Sequence, residues 1–401
     1  MSTLITNIGE LMTQDRDHTV LRNAAVVLEG ERISWVGAST AAPAADDQYD
    51  AEGRACLPGW VDSHTHLVFA GDRTAEFEAR MAGEDYAAGG IAVTTQATRN
   101  ASDYDLTRLL LGRVAEAQAG GTTYLETKTG YGLDVDHEAR SARIAATAVD
   151  EVTYLGAHLV PAGIDADDYV QLVAGPMLAA VRPYVQWADV FCERGAFTPE
   201  QSREVLTACR EAGLGLRVHG NQLGPGDGVQ LAVEFSAASV DHVNYLTDGD
   251  IAALAGSWSA WDGGAGARGT VAACLPACDL STRQPLAPGR QLLDAGVQIA
   301  LASNCNPGTS YTTSMAFCVT TAVLQMGLSV HEAVRAATWG GALALHRETG
   351  MDDDGARAVG SIVVGHRADL QLLKGPSATH LAYRPGIPLT HAVWRKGHRI
   401  V

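Results

Sequence analysis

Lysine is nearly missing from this sequence, with three in 401 residues, at Lys128, Lys374 and Lys396. Chemistry that needs a lysine therefore has few candidates, and only Lys128 lies in the middle of the chain. Positive charge is scarce altogether: 29 Lys+Arg face 46 Asp+Glu, for a formal net charge of −17. A non-specific nucleic-acid binder needs a basic face, so that class is excluded. An anionic small substrate is not, because one well-placed arginine overrides the bulk field locally. No apolar run reaches about 18 residues, which excludes a membrane-spanning helix and membrane partners. The opening stretch MSTLITNIGELMTQDRDH contains acids and lacks the apolar segment of a secretory leader. The seven cysteines are odd in number and form no paired framework. A soluble protein of a reducing, cytoplasmic compartment is the expectation.

What is present is a globular composition, 46% apolar and 19% charged, long enough to bury a sizeable core. At about 150 residues per domain the length suggests two or three domains, but a single α/β barrel of about 250 residues plus a smaller unit also fits. The two ends resemble each other. Ala24–Glu29 and Arg32–Val36 are β-like runs separated by Gly30-Glu31, and the runs 360–365, 368–373 and 391–394 behave the same way. They read as one small β-domain assembled from both termini. The middle alternates between helical stretches (105–119, 137–149, 199–212, 330–337) and short apolar strands (121–126, 152–158, 188–192, 215–219, 239–243, 297–302). That alternation predicts a parallel α/β fold, and a (β/α)₈ barrel fits the length, with reactive groups at the C-terminal ends of its strands.

His64-Thr65-His66 follows the run Leu57–Asp62. In a strand, residues i and i+2 face the same way, so both imidazoles can address one metal; two hydrogen-bonded histidines at a strand end would look the same. His158, His219 and His242 each end another predicted strand. Four such positions, with 13 histidines in the chain, are accounted for by convergence on one barrel mouth. Cys274 and Cys278 have no second pair to make a zinc knuckle. Cys305 reads as a small buried filler. Gly224–Gly228 lacks the spacing of a phosphate-binding loop.

The runs LPGWVDSHTHLVFAGDR (57–73), TYLETKTGYGL (123–133), YLGAHLVP (154–161), ADVFCERGAF (188–197), VHGNQL (218–223), SVDHV (239–243) and NPGTS (306–310) resemble the imidazolonepropionase family of the amidohydrolase superfamily, in the family's order and across nearly the whole chain. The resemblance implies a (β/α)₈ barrel over 57–346 and a small β-sandwich made of 1–56 and 347–401. It implies one divalent metal, zinc or iron, held by His64, His66, His219 and the residue at position 304. A two-metal member would need a bridging lysine on the fourth strand. The fourth strand is taken to end at His158, and Lys128 is the only barrel lysine, which favours one ion. The implied substrate is 4-imidazolone-5-propanoate, opened by water at its cyclic amide. Gln222 would hydrogen-bond the ring, His242 would polarise the carbonyl, and Arg73 would pair with the propionate carboxylate. Tyr86, Tyr131 and His158 would complete the pocket, with Asn306, Gly308 and Thr309 as the substrate-contacting loop. Members are commonly dimers, so a homodimer is implied.

One position departs from the family pattern. The family has Asp-x-Asn-Pro-Gly where this chain has Asn304-Cys305-Asn306-Pro307-Gly308. The amide is isosteric with the carboxylate but neutral, so it is a weaker ligand and accepts no proton from water. Slowed hydrolysis is expected. A deliberate change, a natural variant with a compensating acid, and a non-catalytic imidazolone-binding relative all stay open at this point. Another heterocycle amidohydrolase or deaminase is the alternative among enzymes. Deaminases usually carry Glu where this chain has Gln222, which counts against that reading.

Overall fold

The computed structural model describes residues 1–83, 90–264, 266–350 and 357–401. Two sheets organise it. The first joins both chain ends: Ser2–Met12, Val20–Glu29, Arg32–Ala38, Asp47–Asp50, Ala55–Pro58, Leu370–Leu373, Thr390–Arg395 and His398–Arg399. Ala55–Pro58 is its hinge, running parallel to Ser2–Met12 on one side and antiparallel to Leu370–Leu373 on the other. Period-two alternation turns Ile5, Val26, Leu28, Leu370, Leu372 and Trp394 into a separate apolar cluster. Gly30, at φ +56°, takes the left-handed turn position between two of the strands. The expected strand at 360–365 is absent: this stretch is a turn, tied down by the Ile362 N–H donating to Thr13 O at 2.7 Å. Gly360 at φ +79° and Gly365 at φ +94° interrupt it and leave too short a run to pair.

The second sheet holds eight parallel strands in chain order: Trp60–Asp62, Thr122–Lys128, Glu151–Ala157, Trp187–Cys192, Gly215–Gly220, Ser239–His242, Val271–Cys274 and Ile299–Leu301. Almost every residue in them is buried, as parallel strands covered by helices require. The first and eighth strands meet just beyond their ends. Asn304 N–H donates to His64 O and His66 N–H donates to Cys305 O, both at 2.9 Å. This (β/α)₈ barrel is the expected class. Its helices start where the sequence offers caps: Ser102 on Asp103–Ala119, Asp134 on Val135–Ala145, and Thr198 with Gln201 in a reciprocal box on Pro199–Glu211. Each such cap stabilises its helix by about 1 kcal/mol. Among the described residues no helix is long and apolar enough to cross a membrane.

Strand numbering corrects one step of the sequence reading. His158 follows the third barrel strand, not the fourth. The fourth is Trp187–Cys192, and no lysine occurs in it. The run 188–192, itself read as a strand, takes the fourth place, and Glu151–Ala157 before it is the third.

Candidate active site

His66, Arg73, Tyr131, His158, His219, Gln222, His242, Asn304, Asn306 and Thr309 border one cavity at the C-terminal ends of the barrel strands. Ile91 and Phe191 border it too, apolar residues that no chemical motif would flag. His64 sits against it, its ring centroid 4.6 Å from that of His219, 5.3 Å from His66 and 5.8 Å from His242. Gly308 lines an adjoining hollow that shares Arg73 as a wall. Tyr86 lies outside the described residues.

Each group is fixed by a local device. His64 and His66 hang from the stretch that closes the barrel. The Thr127 hydroxyl accepts the Leu67 N–H at 2.7 Å just beyond them. Tyr131 is held by Glu138, whose buried carboxylate accepts the backbone N–H groups of Gly130, Gly132 and Leu133 at 3.1, 2.7 and 2.8 Å. Tyr131 therefore faces the cavity and does not merely cap a turn. His158 Nδ1 lies 2.8 Å from Gly130 O, so that nitrogen carries the proton, and the His66 ring stacks on the imidazole at 5.6 Å and 18°. Gln222 and Leu223 donate their backbone N–H groups to Glu193 at 2.8 and 3.0 Å. His242, at φ +84°, and Val243, at φ +51°, occupy backbone conformations costly for such residues, which is common where a side chain must be aimed.

The eighth-strand loop is built on neutral groups. Asn304 sits at φ +50°, a conformation Asn tolerates. Its Oδ1 accepts from Asn306 Nδ2 at 3.2 Å, and the same amide donates to Thr309 Oγ1 at 2.8 Å. Asn306 Oδ1 accepts the Gly308 and Thr309 N–H groups, both at 2.8 Å. Asn306 thus folds the loop with both ends of its amide engaged. Arg73 is gripped by Glu76, its Nε and Nη2 donating at 2.8 and 2.6 Å. A Cβ on Gly308 would collide with that guanidinium. Arg80 completes the clamp by donating to Gly308 O at 3.0 Å.

Beneath the imidazoles lies buried charge. Asp241 Oδ2 is 2.6 Å from His64 Nδ1 and 3.2 Å from Arg217 Nη2. Asp189 Oδ2 is 3.0 Å from His219 Nδ1, an ion-pair distance without hydrogen-bond alignment. Lys128 Nζ lies among Asp189, Glu126 and Asp241 at 2.9, 3.2 and 3.6 Å. Glu126 also accepts from Thr65 N–H at 3.2 Å and from the Thr153 hydroxyl. Burial alone would raise the Asp241 carboxyl, but Arg217, His64 and Lys128 more than offset it and hold it well below the usual carboxylate range. Burial, with Lys128, His219 and the neighbouring rings, drives His64, His66 and His242 well down, so they stand as neutral imidazoles. Burial likewise lowers His158 to about 4.

Neutral imidazoles are what a metal ion binds. Nitrogens of His64, His219 and His242 lie within 4.8 Å of one another, and His64 Nε2, His66 Nδ1 and His242 Nδ1 are buried with no hydrogen-bond partner among the described residues. Uncompensated buried nitrogens are costly, so the donor set fits an ion. Here the structure brings His242 into one compact triad with His64 and His219, whereas the sequence groups His66 with those two. The set contains no lysine, and Lys128 is fully engaged below it.

Residues 55–399 match the model of the amidohydrolase family, to which this chain, a barrel with histidines at its mouth and a sheet from both termini, belongs. Within that family it belongs with the imidazolonepropionases. It is 80% identical to the imidazolonepropionase of Arthrobacter sp. (strain FB24), covering 100% of both chains, and 55% identical to that of Mycolicibacterium smegmatis, covering 98% and 96%. Solved structures share the fold. The zinc-complexed atrazine chlorohydrolase of Arthrobacter aurescens TC1 is 18% identical, with a TM-score of 0.71 over 100% of this chain and 95% of that one. A zinc-bound adenosine deaminase from Xanthomonas campestris is 19% identical, with a TM-score of 0.71 over 99% and 92%.

Proposed function

We infer that the chain hydrolyses 4-imidazolone-5-propanoate to N-formimidoyl-L-glutamate in histidine degradation. The observation that carries this is one cavity where neutral histidines, the Gln222 amide and the Arg73 guanidinium converge, in a chain so similar to imidazolonepropionases. The full-length relatives do not favour the deaminase or non-catalytic readings. One water adds across the cyclic amide: its hydroxyl joins the carbonyl carbon, the ring C–N bond breaks, and the leaving nitrogen takes the proton.

One divalent ion, zinc or iron, would be held by His64, His66 and His219 with Asn304 beside them, and when bound it supplies the Lewis acidity that makes water nucleophilic near neutral pH. His242 is neutral, so it stabilises the developing oxyanion by donating an N–H rather than as a cation. Gln222 orients the ring by hydrogen bonds. Arg73, positioned by Glu76 along its Nε–Nη2 edge, would pair with the propionate carboxylate. Tyr131 and His158 form the opposite wall, and the Asn306–Thr309 loop backs the guanidinium. Asn304 supplies an amide oxygen and no base. A catalytic barrel over 57–346, a composite domain of 1–56 and 347–401, a cytoplasmic location and a homodimer go with this reading.

The test is turnover. Purified protein should consume the imidazolone and release N-formimidoyl-L-glutamate, lose that activity on chelation, and regain it with zinc or iron. Failure of the metal-loaded protein and of Asn304→Asp alike would sink the reading.

A further inference from the structure

The charged layer under the site is more than a stabilising core. Five ionisable side chains, Glu126, Lys128, Asp189, Arg217 and Asp241, are buried together, each 1% exposed or less. Ion pairs as deep as these add little net stability over a packed apolar core, because desolvation offsets their attraction. A layer that contributes little to stability yet touches two catalytic rings has another use. Its two aspartates each face an Nδ1, Asp241 at His64 and Asp189 at His219. Among the described residues Lys128 is the one cation within ion-pair distance of both.

We propose that Lys128 is a positioning residue: by cross-linking Asp189 and Asp241 it holds both carboxylates against the Nδ1 atoms of His219 and His64, fixing both rings in the Nδ1–H tautomer with their Nε2 atoms as ligands. The geometry agrees at His64, where Nδ1 is paired and Nε2 is buried without a partner. A carboxylate behind a ligand histidine sets its tautomer and raises its basicity. One lysine serving two such carboxylates couples the two ligands, so its loss disturbs both. Arg217 meets the same Asp241 oxygen that faces His64, and Glu126 ties the ammonium to the Thr65 backbone between His64 and His66.

The proposal rests on the metal reading above, and its test separates the two. In the chelated full-length protein, ¹⁵N NMR should show His64 and His219 protonated at Nδ1; an Nε2–H pattern in the wild type overturns the proposal whatever the chain binds. Zinc affinity, measured by competition with a chromophoric chelator, should fall 10- to 100-fold in Lys128→Met. Because that variant leaves carboxylates unpaired and could fail to fold, Lys128→Met/Asp189→Asn removes one charge of each sign. A folded double variant with equally weakened zinc supports the proposal. Wild-type affinity in that variant overturns it. An Nδ1–H pattern without zinc uptake overturns the metal reading alone.

Discussion

The floor and the rim of this cavity are both buried and polar, yet they are held in opposite ways. Under His64 and His219, three carboxylates face two cations. At Asn304–Thr309, one asparagine amide ties the loop with neutral hydrogen bonds. The floor therefore supplies negative charge behind the ligands, while the rim supplies shape without charge. The comparison teaches that an anion at position 304 is not the only way to place negative charge behind these histidines: Asp241 and Asp189 do so one layer back, against His64 and His219.

The largest effect should come from cutting the link between floor and cavity. His219→Ala should lower turnover by about 10³-fold or more with loss of bound metal, read by steady-state kinetics beside metal analysis. Retained metal and turnover would dissolve the distinction between the two regions. Next, charging the rim sharpens it. Asn304→Asp should raise kcat by about 10²-fold, within the range a positioned base contributes; no increase would mean that the floor already supplies what the rim lacks. Gly308→Ala tests shape alone. Its Cβ displaces Arg73, so KM should rise about tenfold with kcat little changed.

An effect on stability alone, with none on turnover, lies behind the floor. His346 packs edge-on against Trp187 at 5.4 Å, and burial together with the Arg268, Arg217 and Arg347 charges lowers it to about 4. A folded pKa below the ordinary 6.5 disfavours protonation in the native state. Its contribution is therefore full above pH 6.5 and is lost as pH falls toward 4, by at most about 3 kcal/mol. Urea midpoints at pH 7 and 4.5 should converge in His346→Gln relative to the parent; equal pH slopes in both would refute the assignment.

The rim was more legible in the sequence than the floor. His64, His66, His219, His242 and the Asn304–Thr309 loop announce themselves because metal and loop chemistry demand rare residue types at strand ends. The floor is scattered over four strands, and its members meet only when the barrel closes. A signal was nevertheless there: Glu126 and Lys128, Asp189, Arg217 and Asp241 are charges inside otherwise buried strand runs, and Arg217 shares a face with His219 at i+2. A charge in a fully buried strand needs a partner, and such charges on four strands imply a shared centre. Glu138 and Glu193 carried no such mark, since they act through backbone N–H groups that only the folded loops present.

The seam between the first and eighth strands has a consequence for how the protein is made. Ser303 Oγ donates to Asp62 at 2.5 Å across 241 positions of chain, and the neighbouring seam bonds come from His64, His66 and Asn304 themselves. A ribosome releases His64 long before its eighth-strand partner exists. Ring closure and assembly of the ligand set are thus a single late event, paced by the slow formation of long-range parallel pairing. Until then the nascent chain exposes histidines with no finished site, and the donor set is complete only at the end of folding.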